Sequence, residues 1–140
     1  MSTQRPEPEV KPRRVRRARK TLLVVEDEKL IRWSIREALR RDFHVRAAAS
    51  AEEAGKLLPR IKHLDGVLVD VRLPGMSGLE FCQKVRASWP RVKVFVMTAY
   101  SQETAARDAF GVHADAYLAK PFELETLRDM MASHLGGYSA

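Results

Sequence analysis

Four short apolar runs of the sequence each end in a side chain that can do chemistry. The acidic segment Glu26–Glu28 follows the first of these runs, and Asp70 follows another. Thr98 and Lys120 stand in the same position after two later runs. If the runs are parallel strands, their carboxyl ends lie at one edge of a sheet, which is where ligands of open α/β sheets bind. We therefore expect these side chains to form one cluster.

The chemistry of this cluster follows from its residue types. Carboxylates brought together repel one another unless a cation joins them. Hard oxygen ligands suit Mg²⁺, which binds through a few carboxylates and keeps water for a phosphate. An Asp carboxylate is a nucleophile that can form an aspartyl phosphate, and an amine and a hydroxyl suit the added phosphoryl oxygens. Each residue alone has an ordinary structural explanation, but their joint placement favours Mg²⁺-dependent phosphoryl transfer.

The elements that must position these side chains alternate along the chain. Apolar runs rich in β-branched residues predict five buried strands, at 22–25, 43–49, 66–69, 92–97 and 116–119. Helical patterns between and after them predict five helices: one through Ile31, Ile35 and Leu39, one opened by the capping box Ser50–Glu53, one opened by Ser77–Glu80, one over 102–110, and one striped by Leu124, Leu127, Met131 and Leu135. This alternation predicts an α/β fold with a parallel sheet covered on both faces.

Composition and charge divide the chain into a basic extension and one domain. The net charge is +7, and residues 1–20 hold eight Lys or Arg residues against two acids, so the remainder is almost neutral. With three prolines and few apolar residues, that segment cannot order itself by burying a core. We predict a disordered basic extension over 1–20, a domain over 21–136 and a C-terminal tail over 137–140.

Two further observations concern location. The single cysteine, Cys82, excludes an internal disulfide and favours a reducing, cytoplasmic location. No apolar run approaches the roughly 18 residues of a membrane span, and the basic N-terminus has no apolar signal core. We therefore expect a cytoplasmic protein with no membrane partner.

Four motifs, in order along the chain, resemble those of response-regulator receiver domains. Leu22–Glu28 resembles their first-strand motif, and Val69–Gly78 resembles their phosphoacceptor loop almost residue for residue. Val96–Ala99 resembles their switch-threonine segment, and Ala116–Phe122 their lysine segment. The resemblance runs from about Thr21 to Leu135 and is greatest to the receivers of nitrogen-regulator-type transcription factors.

This resemblance implies a fold and a function. The fold would be a flavodoxin-like, doubly wound (βα)5 unit with strand order 2-1-3-4-5. A sensor histidine kinase or phosphotransfer protein would phosphorylate Asp70, and the domain would be a phosphoacceptor switch rather than an enzyme. The face formed by the fourth helix, fifth strand and fifth helix would then control a downstream protein or effector domain. Formation of a homodimer on phosphorylation stays open.

The resemblance also implies a role for each site residue. Asp27 and Asp70 would bind Mg²⁺ directly, together with the backbone carbonyl of Arg72. Glu26 would act on the metal through water, with direct contact left open. Lys120 would pair with the phosphoryl oxygens and precede a cis bond to Pro121.

The remaining roles concern switching and the lifetime of the phosphorylated state. Thr98 would move toward the phosphoryl group, and the ring of Tyr117 would turn inward behind it. Arg72 and Tyr100 occupy positions that flank the path of the hydrolytic water in receivers. A long cation and a bulky ring there predict slow loss of the phosphoryl group.

Two other functions are compatible with parts of this pattern. An aspartate-dependent phosphohydrolase would carry a second acid two residues after Asp70, where this chain has Arg72. Nucleic-acid binding through residues 11–20 would use Lys and Arg without base stacking, since no aromatic residue is interleaved there. We favour a solvated linker for that segment. Whether the chain acts alone or within a larger regulator stays open.

Overall fold

The computed structural model describes residues 19–72, 78–99 and 114–136. Its strands are β1 (Thr21–Val25), β2 (His44–Ala48), β3 (Gly66–Asp70), β4 (Lys93–Thr98) and β5 (Ala116–Ala119). Its helices are α1 (Lys29–Leu39), α2 (Ala51–Leu57, continued by a 3-10 turn over Leu58–Arg60), α3 (Gly78–Ser88) and α4 (Leu124–Leu135). The helix predicted over 102–110, Tyr100 and the tail over 137–140 lie outside the described residues.

The five strands form one parallel sheet in the order β2-β1-β3-β4-β5, as predicted. Along β1 the buried side chains alternate, because successive residues of a strand point to opposite faces. Leu22 and Val24 pack with α1 and α4, whereas Leu23 and Val25 pack with α2 and α3. The predicted doubly wound arrangement, with helices on both faces, is thus confirmed.

Four of the five strands have bounds that differ from the prediction by one residue at one or both ends: β1 begins at Thr21, β3 ends at Asp70, and β2 and β4 differ as follows. The run predicted from Phe43 begins its ladder at His44, because the Phe43 amide donates instead to Leu39 O at the end of α1. The strand predicted over 92–97 begins at Lys93 and includes Thr98. The difference at the end of β4 matters for the site, since it places Thr98 inside the sheet ladder.

The helix ends were predicted with unequal success. At α2 the predicted capping box forms: Ser50 Oγ accepts from Glu53 N at 3.0 Å, and Glu53 Oε1 accepts from Ala49 N at 2.8 Å. On α4, Leu127, Met131 and Leu135 are buried as their spacing predicts. The expectation that Leu124 shares this packed stripe was wrong. It is the first residue of the helix and is 42% exposed.

Arg19 and Lys20, the first two described residues, are both hydrogen-bonded to the rest of the domain. Arg19 Nη1 donates to Arg40 O at 2.8 Å and to Arg41 O at 3.2 Å, and Lys20 O accepts from His44 N at 2.8 Å. The guanidinium thereby satisfies carbonyls at the end of α1, which the helix itself leaves without partners. Across the described ranges, no helix has the length and apolar character needed to cross a membrane.

Candidate functional site

The acidic segment after β1 is folded tightly against the carboxyl edge of the sheet. Glu26 N donates to Ala48 O at 3.0 Å, which extends the β1–β2 ladder by one residue. The Glu26 side chain is fully buried, and its Oε2 accepts from Glu28 N at 2.9 Å. Asp27, between them, is exposed. Neighbouring acids therefore have different environments, one inside the protein and one facing solvent.

Asp70 is the last residue of β3 and is only 6% exposed. Its Oδ1 accepts from Arg72 N at 2.9 Å, so the loop that follows fixes the carboxylate. The next residue, Val71, donates its amide to Met97 O at 2.9 Å and keeps that loop attached to β4. The sheet and the loop together hold Asp70 in one orientation.

Lys120 joins the two buried acids. Its Nζ lies 2.6 Å from Asp70 Oδ2, with which it hydrogen-bonds, and 2.9 Å from Glu26 Oε1. Its backbone amide donates to Thr98 O at 2.7 Å, which ties the residue to the end of β4. The Lys120–Pro121 bond is cis, as the resemblance implies. A side chain fifty positions along the chain from Asp70 is thus held against its carboxylate.

Burial and pairing shift the ionisation of this group. Burial raises the pKa of Glu26, and the nearby Asp70 charge adds to the rise, while the contact with Lys120 opposes it. For Lys120, burial alone would lower the pKa. The hydrogen bond to Asp70 and the close negative charges of Asp70 and Glu26 outweigh that effect, so the pKa of Lys120 is raised and the ammonium is retained.

The carboxylates fit a divalent cation with oxygen ligands. One carboxylate oxygen each from Glu26, Asp27 and Asp70 lies within 4.8 Å of the other two. Glu26 Oε1 is buried and accepts no hydrogen bond from a described residue, since its contact with Lys120 has the distance of an ion pair but not the geometry of a hydrogen bond. Two buried acids balanced by one ammonium leave this edge short of positive charge. A hard cation such as Mg²⁺ would supply it.

Arg32 belongs to this site but was missed in the sequence. From the first turn of α1, its Nη1 donates to Glu26 O at 2.9 Å and to Asp27 O at 3.4 Å. The guanidinium thus holds the backbone of the acidic segment without using the carboxylates. Arg32 follows Asp27 by five positions and lies in the first turn of a predicted helix, and this spacing could have indicated a contact with the acidic segment. An Arg on a helix is, however, more often a solvated surface residue.

The other predicted site residues are placed as follows. Thr98 is buried at the end of β4, and the half-buried Tyr117 accepts from Ala114 N through its hydroxyl at 3.3 Å. The Arg72 side chain is exposed, while its amide contacts Asp70. Tyr100 lies outside the described residues. The structure therefore brings together Glu26, Asp27, Asp70 and Lys120, and the roles of Thr98, Tyr117 and Tyr100 stay predictions.

Comparison with known proteins decides the family. The family model for the response regulator receiver domain matches residues 22–132, which include all of the carboxyl-edge side chains just described. The chain belongs to the response regulator receiver domain family. It is therefore the receiver domain of a two-component system, and its resemblance to nitrogen-regulator receivers is matched by a relative, the DNA-binding transcriptional regulator NtrC of Proteus hauseri. That relative is 35% identical over 73% of this chain and 22% of its own length.

Other relatives and solved structures support this assignment. The response regulator protein FleR of Pseudomonas aeruginosa is 33% identical over 83% of this chain and 24% of its own length. The response regulator TrrA of Thermotoga maritima, solved in complex with Mg²⁺–BeF, is 32% identical, with a TM-score of 0.67 over 83% of this chain and 99% of that one. The chain spans between about a quarter and a half of the length of the curated relatives it matches.

Proposed function

We propose that this receiver domain accepts a phosphoryl group on Asp70 from a histidine kinase or phosphotransfer protein, in a reaction that requires Mg²⁺. The observation that carries the proposal is the contact of Lys120 Nζ with Asp70 Oδ2 at 2.6 Å, at an edge where two further acids converge. Once Asp70 carries a phosphoryl group, the ammonium of Lys120 is close enough to hydrogen-bond to the phosphoryl oxygens instead of the carboxylate.

The protein's main contribution to phosphoryl transfer is to position the Asp70 carboxylate and to neutralise charge on the phosphoryl oxygens. An oxygen of the Asp70 carboxylate attacks phosphorus, the bond from phosphorus to the donor imidazole breaks, and the imidazole leaves with its electron pair. Arg72 N restrains the nucleophile, and Lys120 neutralises oxygens that gain charge. Asp27, Asp70 and the carbonyl of Arg72 would hold Mg²⁺, with Glu26 acting through water. The metal would neutralise phosphoryl charge, and the Mg²⁺–BeF complex of TrrA supports this requirement.

An apolar groove beside Lys120 is the surface that we propose for the phosphodonor protein. It is lined by Leu30, Ile31 and Ser34 of α1 and by the segment from Lys120 to Phe122 with Leu124. Leu30 is 70% exposed, and Trp33 on the same helix is 58% exposed. Because Lys120 itself lines the groove, a protein bound there would bring its phosphohistidine next to Asp70. Exposed apolar side chains of this size are typical of docking sites.

The output of the switch is proposed on the resemblance. Phosphorylation would move Thr98 and Tyr117 and change the face that contains β5 and α4, and this change would control a downstream protein or an effector domain. Dimerisation of the phosphorylated domain is one form that such control could take. The buried position of Thr98, whose carbonyl bonds to Lys120 N, supports a coupling between the site and β5.

Labelling with a small phosphodonor tests the proposal. Intact-mass spectrometry after treatment with acetyl phosphate and Mg²⁺ should show one added phosphoryl group in the wild-type protein and none in Asp70→Asn. Asp129→Asn, which changes an exposed acid on α4, is the matched control and should label normally. Equal labelling of Asp70→Asn and wild type would refute the assignment of Asp70.

A further inference from the structure

The amino-terminal edge of the sheet is a continuous basic surface. Three adjoining clefts open there, the largest of about 700 Å³ between the starts of β1 and β2 and the 3-10 turn. Arg19 lines two of the clefts and Lys20 lines two. We call this surface the basic edge; its cationic residues are Arg19, Lys20, Arg40, Arg41, Arg46, Arg60, Lys62, Arg91, Lys93 and Arg128.

Charge is strongly segregated onto the basic edge. Two acids line the same clefts as its ten cations, Glu37 and Asp65, and a third acid, Asp42, pairs with Arg128. The Asp65 carboxylate already accepts from Thr21 N at 2.8 Å, and Glu37 pairs with Arg40. The rest of residues 21–140 carries nine Lys or Arg against thirteen Asp or Glu. The near-zero charge of the domain therefore conceals a positive face and a negative remainder.

Most cations of the basic edge are available to a ligand. Within the described part of the chain, their ion pairs are Arg40 with Glu37 at 3.2 Å and Arg128 with Asp42 at 3.8 Å. The others are without an acidic partner in those same ranges: Lys20, Arg41, Arg46, Arg60, Lys62, Arg91 and Lys93. Unpaired and largely exposed cations concentrated on one face create a field that attracts anions over a distance.

The basic N-terminal segment joins this surface directly. The bonds of Arg19 to Arg40 O and Arg41 O fix the point where residues 1–18 reach the fold, and that point is inside the basic edge. Those eighteen residues contain six further Lys or Arg and two Glu. The positive charge of this segment adds to the attraction that the basic edge exerts on a polyanion.

We propose that the basic edge binds the phosphate backbone of duplex DNA. Stacking of unpaired bases needs exposed aromatic faces, and Trp89, which lines this edge, packs against the core instead. Stable attachment to a membrane surface needs an apolar contribution besides the cations. The large apolar residues that are exposed in the described ranges include Leu30 and Leu124, which flank Lys120 at the opposite edge. Contacts to backbone phosphates need neither feature, only clustered Lys and Arg.

Duplex binding at this edge would leave the phosphorylation site free. Strands of four to six residues separate the two edges by roughly 15 Å. The acids around Asp70 repel phosphates, while the basic edge attracts them, so the electrostatics favour one orientation of the domain on DNA. The inference stands independently of Asp70 chemistry, because no residue of the basic edge contacts Glu26, Asp70 or Lys120 through a bond given above.

Fluorescence anisotropy with a 30-base-pair duplex tests the proposal on the full chain. Wild type should bind at 50 mM KCl and lose about a thousandfold in affinity by 200 mM, as expected for five or six neutralised phosphates. Arg60→Gln/Lys62→Gln should weaken binding about tenfold and reduce the salt slope by about two. Lys29→Gln/Lys84→Gln removes the same charge from exposed positions elsewhere and should behave as wild type.

A second pair of variants separates the edge from the segment before it. The variant Arg13→Gln/Arg14→Gln/Arg16→Gln/Arg17→Gln should bind the duplex more weakly than wild type. Combining it with Arg60→Gln/Lys62→Gln should weaken binding further. Unchanged urea midpoints and unchanged acetyl phosphate labelling would show that the edge variants are folded. If Arg60→Gln/Lys62→Gln binds like the control pair, or if wild type does not bind at 50 mM KCl, the proposal is wrong. Tighter binding to single strands, or edge-dependent binding to phosphatidylglycerol vesicles that exceeds duplex binding, would overturn duplex DNA as the ligand.

Discussion

The two edges of the sheet hold charge in opposite ways. At the carboxyl edge, Glu26 is fully buried, Asp70 is nearly so, and Lys120 Nζ lies within 3 Å of an oxygen of each. At the amino edge, the side chains of Arg60, Lys62 and their neighbours face solvent, largely without acidic partners in the described ranges. The same five strands thus end in a fixed, buried charge cluster on one side and an open cationic surface on the other.

The difference shows what each kind of charge can do. Buried charges cost desolvation energy that their pairing only partly returns, so such a cluster is weak evidence for stability and strong evidence for a positioned site. Exposed cations contribute almost nothing to the fold, but they act at a distance on anions. The carboxyl edge is therefore suited to chemistry on one phosphoryl group, and the amino edge to attraction of many phosphates.

The largest expected effect comes from removing the lysine of the carboxyl edge. Lys120→Ala leaves Glu26 and Asp70 buried without their counter-charge and should lower the free energy of unfolding by about 3 kcal/mol in the absence of Mg²⁺. Arg60→Ala, at the amino edge, should change it by less than about 0.5 kcal/mol. Urea denaturation at pH 7 measures both values. Equal losses would mean that the two edges do not differ in the way described.

Metal binding should affect only the carboxyl edge. At a concentration 100 times its dissociation constant, Mg²⁺ should stabilise the wild-type protein by about 2.7 kcal/mol. Asp27→Ala removes the exposed acid of the trio and should abolish this gain, while Arg60→Gln/Lys62→Gln should retain it in full. Thermal midpoints with and without Mg²⁺, at constant ionic strength, measure the effect. A wild-type midpoint that Mg²⁺ leaves unchanged would count against the metal site.

Arg32 should influence metal binding without touching the metal. It holds the carbonyls of Glu26 and Asp27, so Arg32→Ala should loosen the acidic segment and weaken Mg²⁺ affinity about tenfold, the usual scale for groups that orient ligands. Arg36→Ala, one turn further along α1 and exposed, is the matched control. Isothermal titration with Mg²⁺ gives both affinities. If the two variants bind Mg²⁺ equally well, the contacts of Arg32 serve only the fold.

The smallest effect concerns the lifetime of the phosphorylated state. Arg72 has an exposed side chain next to Asp70, and Tyr100 lies outside the described residues, so this prediction rests on the sequence pattern. Arg72→Asn/Tyr100→Glu should lose its phosphoryl group several times faster than wild type, because a small polar group and an acid would help a water attack. Decay of the labelled protein, followed by mass spectrometry, measures the rate. Equal decay would show that these side chains do not limit access of water.

Much of the carboxyl edge could be predicted because its residues sit at strand ends. Asp70 ends β3 and Glu26 directly follows β1, so both side chains lie at a known edge of the sheet. This placement at strand ends predicted that the acids and Lys120 lie together. The hold of Arg32 on the acidic segment could not be predicted, since it depends on which way a long side chain leaves α1. The prediction for Leu124 was wrong because periodicity gives the face of the helix on which a residue lies but not whether other residues cover the first turn of that helix.

The basic edge, unlike the carboxyl edge, could not be predicted from the sequence. Eight Lys or Arg are visible within residues 1–20 of the sequence, and the net charge of the remaining domain is almost zero. Arg46, Arg60, Lys62 and Lys93 are scattered over fifty positions, and only the parallel arrangement of the strands brings them to one surface. Net charge of a segment cannot reveal this kind of segregation, because it averages over both ends of the sheet.

Localising the phosphoryl group to a residue tests the central claim most directly. After treatment with acetyl phosphate, borohydride reduction converts an aspartyl phosphate to homoserine, which peptide mass spectrometry can place in the chain. The account predicts homoserine at position 70 alone. It should form when Mg²⁺ is present during acetyl phosphate treatment and should not form when a chelator is present instead. Homoserine at Asp27 with Asp70 intact, or equal conversion of Asp70 with and without Mg²⁺, would contradict it.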